Sequence, residues 1–369
     1  MKLISAVLFV SLPFASVTIA APTPNIRIAA YNLENLFDAN HDEGKQDWAF
    51  LPIAHPGKAA GCREGAPSHL RSCLETDWTP AHAALKVEQM KKALLSQGTL
   101  PDLLAVEEVE NLSILREFAT AVGFSNVILE EGEDERGIDV GLLFNTEKVE
   151  YLEHRAHRIQ IPTNQTRDIL AVYFRRKTAA DARETLAVYV NHWPSQGNPP
   201  RDRVLAAEKL RDLIQTDRDR FGAGNLMVVA LGDFNTVDAD HPHPFSSVLL
   251  NASDANALLD LRTHFNTQFP IESRQLPIGT YFFPPKMAWQ DLDHIFISKN
   301  LVDQKGADVE LRAFRVHNAP EILGSVNYPN GPLSGSLVTG VPKPYNVRTL
   351  NPPDAGFSDH FSISIEIKN

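Results

Sequence analysis

Between residues 26 and 36 the chain reads "IRIAAYNLENL", alternating apolar and polar side chains until Asn32 and Glu34 interrupt the pattern. A period of two predicts a strand, and the interruption puts polar side chains at its end. Residues 38 to 80 show no period and are rich in Gly, Pro, His and Asp, which predicts a long loop. From 80 to 98 the pattern is helical, with Thr79 placed to cap, Pro80 at the first helical position and Gly98 at the stop. "PDLLAVEEVEN" then reads as a buried strand, 112–122 as a helix, 126–130 as a strand and "IDVGLLFN" as another. The runs "ILAVYFR", "TLAVYVNHW", "MVVALGDFN" and "LDHIFIS" predict further strands, with an amphipathic helix at 201–219. Apolar strands alternating with helices predict α/β sheets covered by helices on at least one face. Residues 300 to 356, full of Pro, Gly and Asn, predict a second irregular excursion, and no repeat or linker divides 22–369, so one domain is expected there.

Residues 1–21 follow another pattern: Lys2, then "LISAVLFVSLPFASVTIA", ending in small residues. This is the pattern of a secretory signal peptide, with cleavage expected near Ala20 or Ala21 and the mature protein extracellular or periplasmic. A membrane anchor is the alternative, disfavoured by Pro13 and the serines in so short a span. No later segment is apolar enough to span a bilayer, so no membrane span is expected after signal removal, and no protein partner is implied. Export changes the meaning of the two cysteines, Cys62 and Cys73, which an oxidising compartment would let pair. Their spacing and number do not suit a zinc site.

The 369 residues are 43% hydrophobic and 22% charged, ordinary for a soluble globular protein. A formal net charge of −11 argues against gripping a polyanion by a global positive field, and leaves room for a local positive site.

Chemistry enters where the strands end. "AAYN", "LLAVEE", "VYVNH", "VVALGDFN" and "DLDHIFIS" each run an apolar strand into or out of Asn, Asp, Glu or His, and "FSDHF" does so again at 357–361, before "SISIEI". One such residue is usually a turn former; six instances predict polar side chains gathered at one rim of a sheet. The rim offers Glu108, Asp359 and Asn32 as hard oxygen ligands suited to Mg²⁺, Mn²⁺ or Ca²⁺. It also offers His192 and His360, with Asp233 and Asp293 available to orient them. A carboxylate-held imidazole moves protons near neutral pH, and a divalent ion stabilises charge on phosphoryl oxygens.

In order and spacing, "YNLENLF", "PDLLAVEEVEN", "RGIDVGLLF", "NHWPS", "GDFN", "DLDHIFIS" and "FSDH" resemble the endonuclease/exonuclease/phosphatase superfamily, and within it the secreted bacterial nuclease-like members. The resemblance spans about residues 26 to 367. It implies a deoxyribonuclease I-like α/β fold, a four-layer sandwich of two packed mixed β-sheets flanked by helices. It implies metal ligation by Asn32, Glu108 and Asp359, with Glu34 a further ligand or a support behind them and Glu107 the rival of Glu108. His192 matches the first family histidine, Asn191 a phosphate-oxygen donor, Asp233 the residue that positions or activates water, and Asn235 a donor to the oxyanion. Asp293 matches the carboxylate that orients His360, the proton acceptor on this reading. Arg167 matches a phosphate contact and Asp139 a partner that orients His192, each with an ordinary ion pair as the alternative. Ser358 and His294 read as structural, the histidines of "DADHPHPF" as a solvated loop, and the aromatics of "YFFPP" with Trp289 as loop anchors or as faces for a base.

The implied activity is that of a secreted, divalent-metal-dependent phosphodiesterase hydrolysing nucleic acid, DNA favoured, by attack of water. A phosphatase or a phospholipid or phosphoinositide phosphodiesterase is the alternative on the same scaffold, since fold does not fix substrate. A non-catalytic binding module is the reading from another class.

Overall fold

The computed structural model describes residues 25–162, 165–178, 181, 183–254, 256–327 and 335–368, so the expected signal peptide at 1–21 lies outside the described residues. Among the described residues the strands, in chain order, are β1 Ile26–Leu36, β2 Leu103–Val109, β3 Asn126–Leu129, β4 Asp139–Phe144, β5 Val149–His157, β6 Ile169–Arg176, β7 Thr185–His192, β8 Leu226–Asp233, β9 Leu259–Asp260, β10 Tyr281–Phe283, β11 Ala288–Gln290, β12 Asp293–Ile297, β13 Asp308–Val309, β14 Arg315–Val316, β15 Leu323–Asn327, β16 Leu337–Pro342 and β17 Ile363–Lys368. The helices are α1 Lys58–Glu64, α2 Leu70–Glu75, α3 Pro80–Leu95, α4 Leu112–Val122, α5 Pro200–Phe221 and α6 Leu261–Gln268.

Two mixed sheets form the centre. One runs β13-β17-β1-β2-β4-β3, with β14 also on β17; the other runs β5-β6-β7-β8-β12-β9. Period two sorts their side chains. On β7, Leu186, Val188 and Val190 join the core between the sheets, while Ala187 and Tyr189 face Val204, Ala207 and Leu210 of α5. Met90, Leu94, Leu115 and Phe118 of α3 and α4 cover the outer face of the other sheet. The result is two large mixed sheets flanked by helices.

The local signals act where the sequence places them. Thr79 and His82 form a capping box at the start of α3, with Pro80 inside the first turn. The loop expected at 38–80 contains α1 and α2, joined by the Cys62–Cys73 disulfide. Trp78, behind it, donates from Nε1 to the Phe37 carbonyl and packs edge-on against Phe50 and Tyr345. The 300–356 excursion adds short strands to β17 and raises the β15–β16 hairpin. Among the described residues, no helix is long and apolar enough to cross a membrane.

Candidate active site

Strand pairing gathers the polar strand ends. β1 and β2 are parallel, as are β7 and β8, so both pairs end at the same rim. In the second sheet His192 pairs with Asp233, which pairs with Asp293, giving one row across three strands. In the first sheet Asn32 lies opposite Glu107. Asn32 then ties the sheets together: its Nδ2 donates to Asp233 Oδ2 at 3.1 Å and to Glu108 Oε1 at 3.4 Å. His360, just before β17, places Nδ1 2.8 Å from Asp293 Oδ2.

Two backbone features aim these groups. The register of β2 shifts between Glu107 and Val109, and Glu108 takes a left-handed φ of 61°. This bulge turns Glu108 into the cleft and leaves Glu107 beneath it, fully buried, with both carboxylate oxygens unpartnered. Burial, then Asp293 and Asp233, push the Glu107 carboxyl well above its usual range. Gly232 has φ 126°, and a Cβ there would stand 2.1 Å from the Asn191 carbonyl, so the approach of β8 to β7 requires glycine.

The cleft has a volume of about 1050 Å³. At its floor Asp233 Oδ2 stands 3.7 Å from His192 Nε2 and 3.9 Å from His360 Nε2, while Oδ1 accepts the Asn235 N–H. Burial and then Asp293 raise the Asp233 carboxyl to about 7, against the opposing pull of His360. His192 is driven well below its ordinary value by burial and by Arg167 and Arg136, which leaves a neutral imidazole. Burial would do the same to His360, but Asp293, in hydrogen bond and by charge, holds it well above. These surroundings favour the protonated form of His360 and leave Asp233, between the two imidazoles, as a second group able to accept a proton.

The structure places Asn191 and Asp139 away from their expected partners, and Glu34, Ser358 and His294 in supporting positions. Asn191 faces away from the cleft because it alternates with His192: its Nδ2 donates to the Tyr189 carbonyl, and its Oδ1 accepts from Trp193 Nε1. Its amide is thus used inside the helix-facing core. Asp139 does not orient His192; its Oδ1 accepts the Gly132 N–H, and His192 Nδ1 is buried without a partner. Glu34 lies behind the cleft, accepting the Tyr345 N–H at 2.7 Å and facing Lys86 Nζ at 3.9 Å. Burial and then Asp359 raise Glu34 to about 8. Arg167 does line the cleft, but its guanidinium is held by Asp134 and by the Trp193 carbonyl. Ser358 is structural, donating to the Asn32 carbonyl and accepting the His360 N–H. His294 bonds Asp260 and the Asp291 carbonyl outside the cleft.

Residues outside the strand-end motifs complete the walls, among them aromatics of "YFFPP". Tyr281 is bridged to His360 through the backbone, and its ring lies 4.9 Å from the imidazole. Phe283 and the exposed Lys286 follow on the same hairpin, and Ala66 and His69 reach the cleft from inside the disulfide loop. The strand period of "YFF" was the available signal, since Phe282 packs against Trp289 and leaves Tyr281 and Phe283 on the other side.

For a metal, the donor set is Glu108 and Asp359. Burial raises the Asp359 carboxyl, opposed by His360 and Lys86 and reinforced by the neighbouring charge of Glu108, and both carboxylates line the cleft. Two hard oxygen donors side by side on the cleft wall suit a divalent ion. Asn32 does not present an oxygen to them: its Oδ1 accepts the Glu34 N–H, and its Nδ2 faces the acids. It positions Glu108 and Asp233. Among the described residues, no group of three or more His, Cys, Asp or Glu is assembled to hold an ion.

Two packed mixed sheets thus carry acids and imidazoles to one shared rim. Residues 69–369 match the model of the endonuclease/exonuclease/phosphatase family, and the chain belongs to that family. Its members hydrolyse phosphoester bonds and generally use divalent metal ions. No curated protein matches the chain. Solved structures of the same fold include the human Nocturnin catalytic domain with bound sulfate, at 15% identity and TM-score 0.52, covering 94% of this chain and 95% of that one. A humanized D. rerio TDP2 gives 13% and 0.52, covering 94% and 99%; D. rerio TDP2 with a single-strand DNA product gives 13% and 0.50, with the same coverage. A mannosyl-6-phosphatase of Bacteroides thetaiotaomicron gives 15% and 0.51, covering 93% and 100%.

Proposed function

We propose that the chain is an exported, divalent-metal-dependent phosphodiesterase that hydrolyses nucleic acid, DNA favoured, by attack of water. The observation that carries the chemistry is Asp233 flanked by the Nε2 atoms of His192 and His360 at the floor of an open cleft. Asp233 Oδ2 accepts the proton of the attacking water, Asn32 and the Asn235 N–H holding the carboxylate in place. Neutral His192 donates a hydrogen bond to a phosphoryl oxygen, and His360, protonated against Asp293, gives its Nε2 proton to the oxygen that leaves as the old P–O bond breaks. Asn235, whose Nδ2 is anchored on the Trp193 carbonyl, adds a second donor. Glu108 and Asp359 would hold the divalent ion, which supplies electrostatic stabilisation to the phosphoryl oxygens when bound.

Nucleic acid is favoured by the cleft wall. The rings of Tyr281 and Phe283 are 6.5 Å apart at 27°, with Lys286 beyond them. Flat aromatic faces beside a cation suit bases and their phosphates. Export is supported by the pattern of residues 1–21 and by the Cys62–Cys73 disulfide. The net charge of −11 favours a second reading, a small phosphomonoester or lipid headgroup as substrate.

Incubating the mature protein with duplex DNA, single-strand DNA, RNA, a sugar phosphomonoester and sphingomyelin, with Mg²⁺ or Ca²⁺ and with EDTA, separates the readings. Polymer cleavage abolished by EDTA is expected. Turnover of the monoester or lipid alone would replace nucleic acid as substrate, and activity indifferent to EDTA would remove the metal.

A further inference from the structure

A cation stands behind the site, outside the residues that line the cleft. Lys86 lies on α3, on the stripe shared with Ala83, Met90 and Ala93, and is 0% exposed. A buried ammonium costs several kcal/mol unless its surroundings compensate, so a lysine at a position that would suit leucine requires a partner. The hydrogen bonds that the Lys86 and Gln89 side chains donate converge on one segment. Nζ donates to the Phe357 carbonyl at 2.7 Å, stands 3.9 Å from Glu34 Oε2, and lies 4.6 Å over the Tyr345 ring. One turn on, Gln89 Nε2 donates to the carbonyls of Pro352 at 3.0 Å and Gly356 at 2.9 Å.

Those three carbonyls belong to the stretch that delivers Ser358, Asp359 and His360. Phe357 also donates its N–H to the Lys343 carbonyl, and Ser358 Oγ holds both the Asn32 carbonyl and the His360 N–H. A continuous path therefore runs from Lys86 through Phe357 and Ser358 to the imidazole. The ammonium also faces the carboxylates of Glu34, Asp359 and Glu108, so it offsets acid repulsion without occupying the cleft.

We propose that Lys86, with Gln89 beside it, is a positioning residue that fixes the Asp359–His360 pair from outside the cleft. The inference rests on the catalytic reading of His360 given above. Removing a buried hydrogen bond from a charged donor should lower kcat by roughly 10- to 100-fold, with KM for substrate unchanged.

The test uses the full mature chain carrying Lys86→Met, His360→Ala and both together. Proton NMR follows the Nδ1–H shared by His360 and Asp293, assigned by its loss in His360→Ala. Lys86→Met is expected to shift or broaden that resonance, to lower kcat as stated, and to add no further loss in the His360→Ala background. An unchanged resonance, or losses that multiply in the double variant, would overturn the proposal. If Lys86→Met does not fold, Gln89→Met removes two bonds to the same segment and is read the same way. Should the wild type hydrolyse no phosphoester, the functional reading fails, while the resonance still decides whether Lys86 positions His360.

Discussion

His360 Nδ1 and Asp293 Oδ2 lie 2.8 Å apart although the two residues belong to different sheets, Asp293 opening β12 and His360 leading into β17. The pair therefore forms only when the sheets pack. Both groups are nearly fully buried, and Asp293 Oδ1 has no other partner, so the carboxylate is committed to the imidazole.

Asp293→Asn keeps the shape and removes the charge that holds His360 protonated. We expect kcat to fall roughly 10²- to 10⁴-fold, in the range of a positioned proton donor, with the thermal midpoint little changed. Steady-state kinetics beside a melting curve checks this. A loss below about threefold would mean that the pair has no part in turnover.

Asn191 and His192 are neighbours whose substitutions should do opposite things. Asn191→Ala strips a buried amide from the Tyr189 carbonyl and Trp193 Nε1, and should cost about 1–3 kcal/mol of stability while the folded fraction keeps its kcat. His192→Ala should cost activity, about 100-fold or more, with a smaller change in stability. Urea denaturation and kinetics on both variants distinguish the two roles, and a stable but inactive Asn191→Ala would restore Asn191 to the site.

That pair also shows what the sequence could and could not reveal. "NHWPS" marks a strand end, but period two sends only one of its two polar residues into the cleft, and the choice of face depends on where α5 packs. "EE" at 107–108 posed the same question, and the answer lies in a bulge and a positive φ that composition does not encode. The apolar strands were legible because they are buried on both faces. β5 was not, because "VEYLEHRAH" is a half-exposed edge strand with no apolar run. Lys86 carried a readable signal, a charge on the apolar stripe of α3, but its partners sit 271 residues away in an excursion without a pattern.

Stability should depend on pH through His294. Burial alone would lower its pKa, but the Asp260 hydrogen bond and the charges of Asp260 and Asp291 hold it at about 9. A histidine raised on folding contributes stability that is full below about pH 6.5 and is lost as pH rises through about 9, here on the order of 3 kcal/mol. Denaturant titrations at pH 6, 7.5 and 9 should show the gap between wild type and His294→Gln closing as pH rises. A gap of constant size would sink the assignment.

The divalent ion should be visible without turnover. If Glu108 and Asp359 hold it, binding favours the folded state, by about 2.7 kcal/mol at a hundredfold excess over Kd. Mg²⁺ or Mn²⁺ should therefore raise the melting temperature of the wild type, and EDTA should reverse the rise. In Glu108→Gln or Asp359→Asn the increment should vanish, while the melting temperature without metal should equal or exceed that of the wild type, because one member of a repelling acid pair is gone. Asn32→Ala should separate the roles further. Its Nδ2 faces the acids and its Oδ1 is taken by the Glu34 N–H, so the variant should keep most of the metal-dependent increment and lose turnover through a displaced Asp233. A calorimetric titration of metal into the three variants decides it: loss of binding in Asn32→Ala would make Asn32 a ligand, and retained binding in both carboxylate variants would place the ion elsewhere.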